Sequence, residues 1–248
     1  DLAGQMLRQR VLDPLAIVEV DGLLAAAAQR AVAAAFMVLC RAQIRGKENF
    51  PAEGPVIVAS NHRALIDSII LSAIFPRRVS FIAKASPLNT PGIRGWAMRQ
   101  VYELLGIIPV DRSSRRDAAA AMDPAIELLE AGGVFGVFPE GTRSRDGRLY
   151  RGRTGVAHAA LSTGAPILPV ALEGTQDVQP LGTTWPRPRR FTVSLGELIE
   201  VPRAEGRQTG RQRRELTDRV DSLLSSGLAE RQIVEIASAV VVGDTATA

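Results

Sequence analysis

His62 and Asp67, set five positions apart in Ser60-Asn61-His62-Arg63-Ala64-Leu65-Ile66-Asp67, are the residue types that an acid–base catalyst needs. A carboxylate on one imidazole nitrogen fixes the tautomer and stabilises the imidazolium, leaving the other nitrogen to take a proton. Within one regular helix this separation turns the two side chains about 140° apart. They converge only if His62 lies in a strand-to-helix junction and Asp67 in the opening helical turn. The apolar run Ile69-Ile70-Leu71 directly behind supports that placement. The chain offers this base no nucleophile of its own. Ser60 ends a strand, no G-x-S-x-G turn occurs, and Cys40 lies in an aliphatic zone far from the pair. The hydroxyl to be activated therefore belongs to a substrate, and the transfer is direct, without a covalent enzyme intermediate.

These residues need elements to hold them. From residue 50 onward, short β-type runs alternate with helical stretches. The pattern predicts strands at Pro55–Ser60, Val79–Ala83, Gly106–Val110, Val134–Phe138 and Ile167–Leu172, with a later one at Phe191–Leu195. Helices are expected at Asp67–Ile74, Ile93–Leu105, Arg116–Glu130 and Gly155–Ser162. The gaps between the first five strands all leave room for crossover helices, which argues for an α/β domain with a mostly parallel sheet flanked by helices. Such sheets bind ligands at the carboxyl ends of their strands. There the chain places Asn61 and His62, Lys84, Asp111 and Arg112, and the run Pro139-Glu140-Gly141-Thr142-Arg143-Ser144. Clustered Arg and Lys suit an anionic ligand, since a planar guanidinium grips two oxygens at once. An oxyanion would need backbone N–H donors; Gly141 and the turn after Asn61 are both candidates, and the spacing does not choose between them.

Composition bounds the rest. The 248 residues are 46% apolar and 23% charged, which excludes disordered and collagen-like chains. One cysteine excludes a disulfide framework and a Cys-rich metal site, and two histidines leave little material for any other metal site. A net charge of +4 fits an anionic substrate or bilayer, while 4% aromatics are too few for a base-stacking surface. Residues 1–45 form an N-terminal zone, with Leu15 to Arg45 read as helical and apolar. Gln29 and Arg30 interrupt it, so a helix packed on the domain or lying on a bilayer is preferred to a spanning one. Residues 46–200 form the α/β domain. Residues 201–248 form a C-terminal extension with a short helix at Glu215–Leu224 and a second helix-like stretch at Leu228–Val242.

Four ordered blocks resemble those of the glycerolipid acyltransferase family, whose bacterial type member acylates 1-acyl-glycerol-3-phosphate. They are Asn61-His62-x4-Asp67; Gly106-Ile107-Ile108-Pro109-Val110-Asp111-Arg112; Phe138-Pro139-Glu140-Gly141-Thr142-Arg143-Ser144; and Ile167-Leu168-Pro169-Val170. The resemblance covers about residues 45–200. It implies that His62 is the general base for a glycerol hydroxyl and that Asp67 orients it. It also implies that the block Glu140-Gly141-Thr142-Arg143 helps to hold the acceptor, with Arg143 on its phosphate, and that Lys84 and Arg112 add positive charge there. The partners implied are a lysophospholipid acceptor, acyl-CoA or acyl carrier protein as thioester donor, and a membrane surface, with no metal or other cofactor. The place implied is the cytoplasmic face of the cell membrane, in a peripheral or monotopic form. The chain departs from the family in Lys84-Ala85-Ser86-Pro87, where a glutamate commonly follows the lysine, and in Arg63 inside the first block. The further arginines at 145, 148, 151 and 153 read as a solvated or headgroup-facing surface, and His158 as a packing histidine.

Other readings stay open at this level. Glycerol-3-phosphate, another lysophospholipid or a glycolipid needs the same His–Asp pair with a differently shaped pocket. An inactive lipid-binding protein would keep the fold without turnover, which the intact pair argues against. A serine hydrolase is disfavoured by the missing nucleophile turn.

Overall fold

The computed structural model describes residues 31, 33–104, 106–110, 122–183 and 185–243. Seven strands form one sheet: β1 (Gln43–Arg45), β2 (Val56–Ser60), β3 (Val79–Lys84), β4 (Ile107–Val110), β5 (Val134–Val137), β6 (Ile167–Glu173) and β7 (Thr192–Leu195). Their spatial order is β1-β7-β6-β2-β5-β3-β4. Every neighbouring pair is parallel except the antiparallel β6–β7 pair. The helices are α1 (Asp67–Ile74), α2 (Gly92–Leu104), α3 (Asp123–Glu130), α4 (Gly155–Thr163), α5 (Thr175–Val178) and α6 (Gly210–Gly243).

Strand β2, Val-Ile-Val-Ala-Ser, is buried along its whole length, as expected of a central parallel strand covered on both faces. Its alternation divides the core. Val56 and Val58 face a cluster containing Ile70 and Leu71 of α1 and Leu172 of β6. Ile57 and Ala59 face the opposite cluster, where α3, α4 and α6 contribute Leu129, Ala160 and Leu224. Full burial of each such aliphatic side chain is worth roughly 1.5–3 kcal/mol. The position of the site thus follows from a continuous apolar run flanked by short turns.

Two expectations are corrected. The helical zone read over Leu15–Arg45 is helical at 33–39, with residues 1–30 and 32 outside the described residues; its end is a strand. Arg41 takes a left-handed φ of 50°, and the Gln43 N–H then donates to the Phe191 carbonyl at 3.0 Å. That bond commits the segment to pairing with β7. The helix expected over Arg116–Glu130 is present at Asp123–Glu130, with Pro124 in its first turn, and the part expected over 116–121 lies outside the described residues. The C-terminal extension is one 34-residue helix where two stretches were expected. Ser225-Ser226-Gly227 lie in the gap between those stretches, and a β-carbon on Gly227 would stand 3.2 Å from the Ala171 β-carbon. The glycine serves close packing of α6 on β6, and the helix runs through it. Among the described residues no helix is long and apolar enough to cross a membrane.

Candidate active site

Four adjacent parallel strands, β2, β5, β3 and β4, end on one edge, which brings the chemical residues together. His62 and Asn61 follow β2, Phe138 to Ser144 follow β5, and Lys84 is the last residue of β3. At about 4.8 Å per strand, Lys84 sits two strands, or about 10 Å, along the edge from β2. Arg112, which follows β4, lies outside the described residues.

His62 lies in the junction between β2 and α1, and Asp67 is the first residue of α1. The His62 Nδ1 to Asp67 Oδ2 distance is 2.9 Å. The same oxygen accepts the backbone N–H groups of Arg63 and Ala64, each at 2.7 Å. An aspartate opening a helix is well placed to reach back to these amides, and the helix N-terminus favours its charge. Its other oxygen, Oδ1, is buried with no hydrogen-bond partner among the described residues. Asp67 is fully buried, whereas the His62 side chain is 16% exposed. With Nδ1 committed to Asp67, the tautomer that carries the proton on Nδ1 leaves Nε2 as a base, and Nε2 bonds to no described residue.

The imidazole is also fixed from its face. Its ring stacks on Phe138 with centroids 3.9 Å apart and planes 13° apart, and Phe138 stacks on Phe81. A β-carbon at Gly136 would overlap the Phe81 ring, so the glycine within β5 makes room for the stack. Phe138 opens the third block, yet nothing in its spacing marks it as a neighbour of the histidine.

The backbone of His62 is held on both sides. Its N–H donates to Glu140 Oε1 at 2.8 Å, and its carbonyl accepts the Ser144 N–H at 2.7 Å. The second Glu140 oxygen accepts the Tyr150 N–H at 2.9 Å. The resemblance puts Glu140 on the acceptor; in the structure it is 4% exposed and both oxygens are engaged by backbone amides. Burial pushes its carboxyl above the usual carboxylate range, opposed by the Tyr150 and His62 amides and then by the nearby charges of His62 and Arg63. Asn61 is tied to β6, two residues past the fourth block: its Nδ2 donates to the Leu172 carbonyl at 2.8 Å and its Oδ1 accepts the Leu172 N–H at 2.7 Å. Its amide thereby extends the β2–β6 ladder by one rung. Gln179, unmarked in the sequence, accepts the Ile66 N–H at 2.9 Å.

Arg143 is half-buried and makes no ion pair with a described residue. Gly141 takes a φ of +71°, and a β-carbon there would come within 2.7 Å of Arg153 Nε. The left-handed φ favours glycine there, while the exposed Arg153 side chain is free to yield. Thr142 is exposed beside them. Arg153, read from sequence as part of a solvated face, is exposed but folds over this turn. Its backbone N–H donates to the Pro139 carbonyl at 2.8 Å. The neighbouring Gly152 is gripped by α6: its N–H donates to Asp221 Oδ2 at 2.9 Å and its carbonyl accepts from Arg214 Nη1 at 2.7 Å. No local signal announces these two helix residues. His158 is a packing residue, its Nδ1 2.9 Å from Gln208 Oε1. The Ser60 hydroxyl donates to the Asn61 carbonyl at 3.1 Å, inside the core.

A family described as Acyltransferase matches residues 41–173 of this chain. A 1-acyl-sn-glycerol-3-phosphate acyltransferase of Borreliella burgdorferi is 38% identical over 134 residues, covering 54% of this chain and 52% of that protein. The chloroplastic 1-acyl-sn-glycerol-3-phosphate acyltransferase BAT2 of Brassica napus is 34% identical over 144 residues, 58% of this chain and 40% of that protein. The alpha form from Homo sapiens is 32% identical over 165 residues, 65% of this chain and 54% of that protein. The chain thus spans about half the length of these curated relatives, or less. Among solved structures, the crystal structure of the 1-acyl-sn-glycerophosphate (LPA) acyltransferase PlsC from Thermotoga maritima superposes with a TM-score of 0.61. It is 26% identical and covers 93% of this chain and 89% of that one.

Proposed function

Because this chain belongs to the acyltransferase family, we propose that it transfers a fatty acyl group from a thioester to the free hydroxyl of 1-acyl-glycerol-3-phosphate, giving phosphatidic acid. The observation that carries the reading is the His62–Asp67 pair at 2.9 Å, with Nε2 left unengaged by any described residue. The relatives named as 1-acyl-sn-glycerol-3-phosphate acyltransferases support the choice of acceptor.

In the proposed step, His62 Nε2 takes the proton of the acceptor hydroxyl as its oxygen forms a bond to the thioester carbonyl carbon. Asp67 stabilises the resulting imidazolium through Nδ1 and holds the ring's orientation. The tetrahedral intermediate collapses with cleavage of the carbon–sulfur bond, and the imidazolium returns its proton to the departing thiolate. Atoms and charge balance with acceptor and thioester alone. The thioester is carried by coenzyme A or acyl carrier protein. Arg143 and Lys84, with Arg112, hold the acceptor phosphate, while Glu140 serves the reaction from behind by holding the His62 backbone. Since the acceptor and product are amphiphiles, the reaction takes place at the cytoplasmic face of the membrane, with the protein docked peripherally.

The test is acyl transfer by the purified full chain, supplied with lysophosphatidic acid in liposomes and acyl-CoA, with the product identified by mass spectrometry. Phosphatidic acid is the expected product. His62→Ala lowers kcat by about 10²–10⁴-fold, whereas Arg143→Ala mainly raises the acceptor KM. Near-wild-type turnover by His62→Ala removes the histidine from the base role. Transfer to a different acceptor in preference to lysophosphatidic acid overturns the substrate assignment.

A further inference from the structure

The segment that joins α5 to β7 has no part in the chemistry above, and its composition is unusual. Trp185-Pro186-Arg187-Pro188-Arg189-Arg190 is exposed at every position, with the indole 81% exposed. None of its three arginines forms an ion pair with a described residue. A large indole left in water beside guanidinium groups that pair with no described carboxylate is costly in isolation. The same combination is favourable where an apolar phase meets negative charge, because indole prefers an interface with one wet side.

The fold puts this segment at the rim of the active site. Gln179, just before it, accepts the Ile66 N–H between His62 and Asp67, and the Arg187 N–H donates to the Val178 carbonyl at 2.7 Å. On the other flank the Phe191 carbonyl, next after Arg190, accepts the Gln43 N–H at 3.0 Å, and the Ala42 N–H donates back to the Met37 carbonyl at 2.9 Å. These bonds set the end of the segment near the end of the helical residues 33–39, where Val38 is 77% exposed and Leu39 is exposed too. Leu65, inside the histidine block, is a further exposed aliphatic on the catalytic side. Apolar side chains from two flanks thus border a basic segment with an aromatic tip, next to the proposed base. The two prolines restrict the backbone, so little conformational freedom remains to be lost on docking.

We propose that Trp185 and the arginines at 187, 189 and 190 form an anionic-lipid docking element that seats the active-site rim on the bilayer. The proposal rests on the reading that the acceptor is a lipid, and it assigns the contact to this loop within the described domain. The occupant is a bilayer surface because three arginines without an ion pair among the described residues match an anionic leaflet, and because the element adjoins the site that must receive an amphiphile. Trp185 enters the interfacial region while the guanidinium groups stay at headgroup level.

The experiment uses the full chain with Trp96→Phe, which leaves Trp185 as the one tryptophan. Sedimentation and fluorescence are measured with phosphatidylcholine vesicles alone and with vesicles containing about one-third phosphatidylglycerol. The expected result is binding to the anionic vesicles with a blue-shifted Trp185 emission quenched by brominated lipid. Each arginine near an anionic surface is worth about fivefold in partitioning, so Arg187→Gln/Arg189→Gln/Arg190→Gln together lower binding about 100-fold at low salt. Trp185→Ala, a milder change, weakens binding to both kinds of vesicle. Circular dichroism identifies a variant that has not folded, and Trp185→Ala then decides the matter alone. Unchanged sedimentation of both variants, or a Trp185 spectrum unaffected while wild-type protein pellets, overturns the proposal. Acyl transfer to a short-chain, monomeric lysophosphatidate separates the two readings. Its retention in the docking variants supports a separate docking element, and its absence from wild-type protein that still binds vesicles overturns the enzymatic reading while the docking element stands.

Discussion

Replacing Glu140 with glutamine separates a bracing role from contact with the acceptor. In the native chain the carboxylate accepts two backbone N–H groups, from His62 at 2.8 Å and from Tyr150 at 2.9 Å. Glutamine has the same shape but one acceptor oxygen, so one of those amides must face an NH₂ group. A hydrogen bond to a charged group is worth about 1.5–3 kcal/mol, and leaving a buried N–H unsatisfied costs about 1–3 kcal/mol. Against this, a neutral amide escapes the burial penalty that pushes the Glu140 carboxyl upward. The opposing effects leave a net destabilisation of about 1 kcal/mol, measurable as a shift in urea midpoint at unchanged m-value. Catalysis should suffer more, because the His62 amide anchors the residue that carries the base. A displacement near 1 Å costs about 10²-fold in kcat. The acceptor KM should hold within about twofold, since phosphate is gripped elsewhere. The pH dependence supplies a second readout. The folded-state pKa of Glu140 is raised, so the folded chain holds this proton more tightly than the unfolded one. Its contribution to stability is therefore complete below the ordinary value of 4.5 and declines as pH rises from there through the raised folded value. Glu140→Gln should lack that slope. An acceptor KM raised tenfold at unchanged kcat would refute the reasoning and put Glu140 on the substrate.

Two other substitutions probe the supports of the histidine. Asp67→Asn keeps the size of the side chain but offers one acceptor oxygen to the three donors now on Oδ2. It should lower kcat by about 10²–10⁴-fold and leave the acceptor KM nearly unchanged; full activity across the pH–rate profile would remove Asp67 from the pair. Asn61→Ala deletes both bonds to Leu172 inside the core, an expected loss of about 2–3 kcal/mol in chemical denaturation, and an unaltered midpoint would mean that the rung it adds to the β2–β6 ladder contributes nothing.

Much of this architecture can be read from local chemistry. Burial on both faces writes continuous apolar runs into β2, β4 and β6, and these are legible as strands. The intervening helices follow from the lengths of the gaps. The five-residue spacing of His62 and Asp67, placed between a strand and an aliphatic run, is enough to demand a junction and a helical first turn. Because parallel strands must end on one edge, that spacing also brings the third-block residues to the same place. What the amino-acid order cannot disclose is which distant group completes each local valence. Glu140 meets His62 across 78 positions, Asn61 meets Leu172 across 111, and Asp221 meets Gly152 across 69. A carboxylate in a loop looks the same in sequence whether it faces ligand or backbone, and only the packed structure turns both Glu140 oxygens inward. Likewise Gly227 carries the ordinary sign of a helix stop, and only the approach of α6 to Ala171 makes it a contact. Sequence reports periodicity and turn chemistry because both act over a few residues. Tertiary packing alone decides how long-range hydrogen bonds are shared, and here that sharing holds His62 in place.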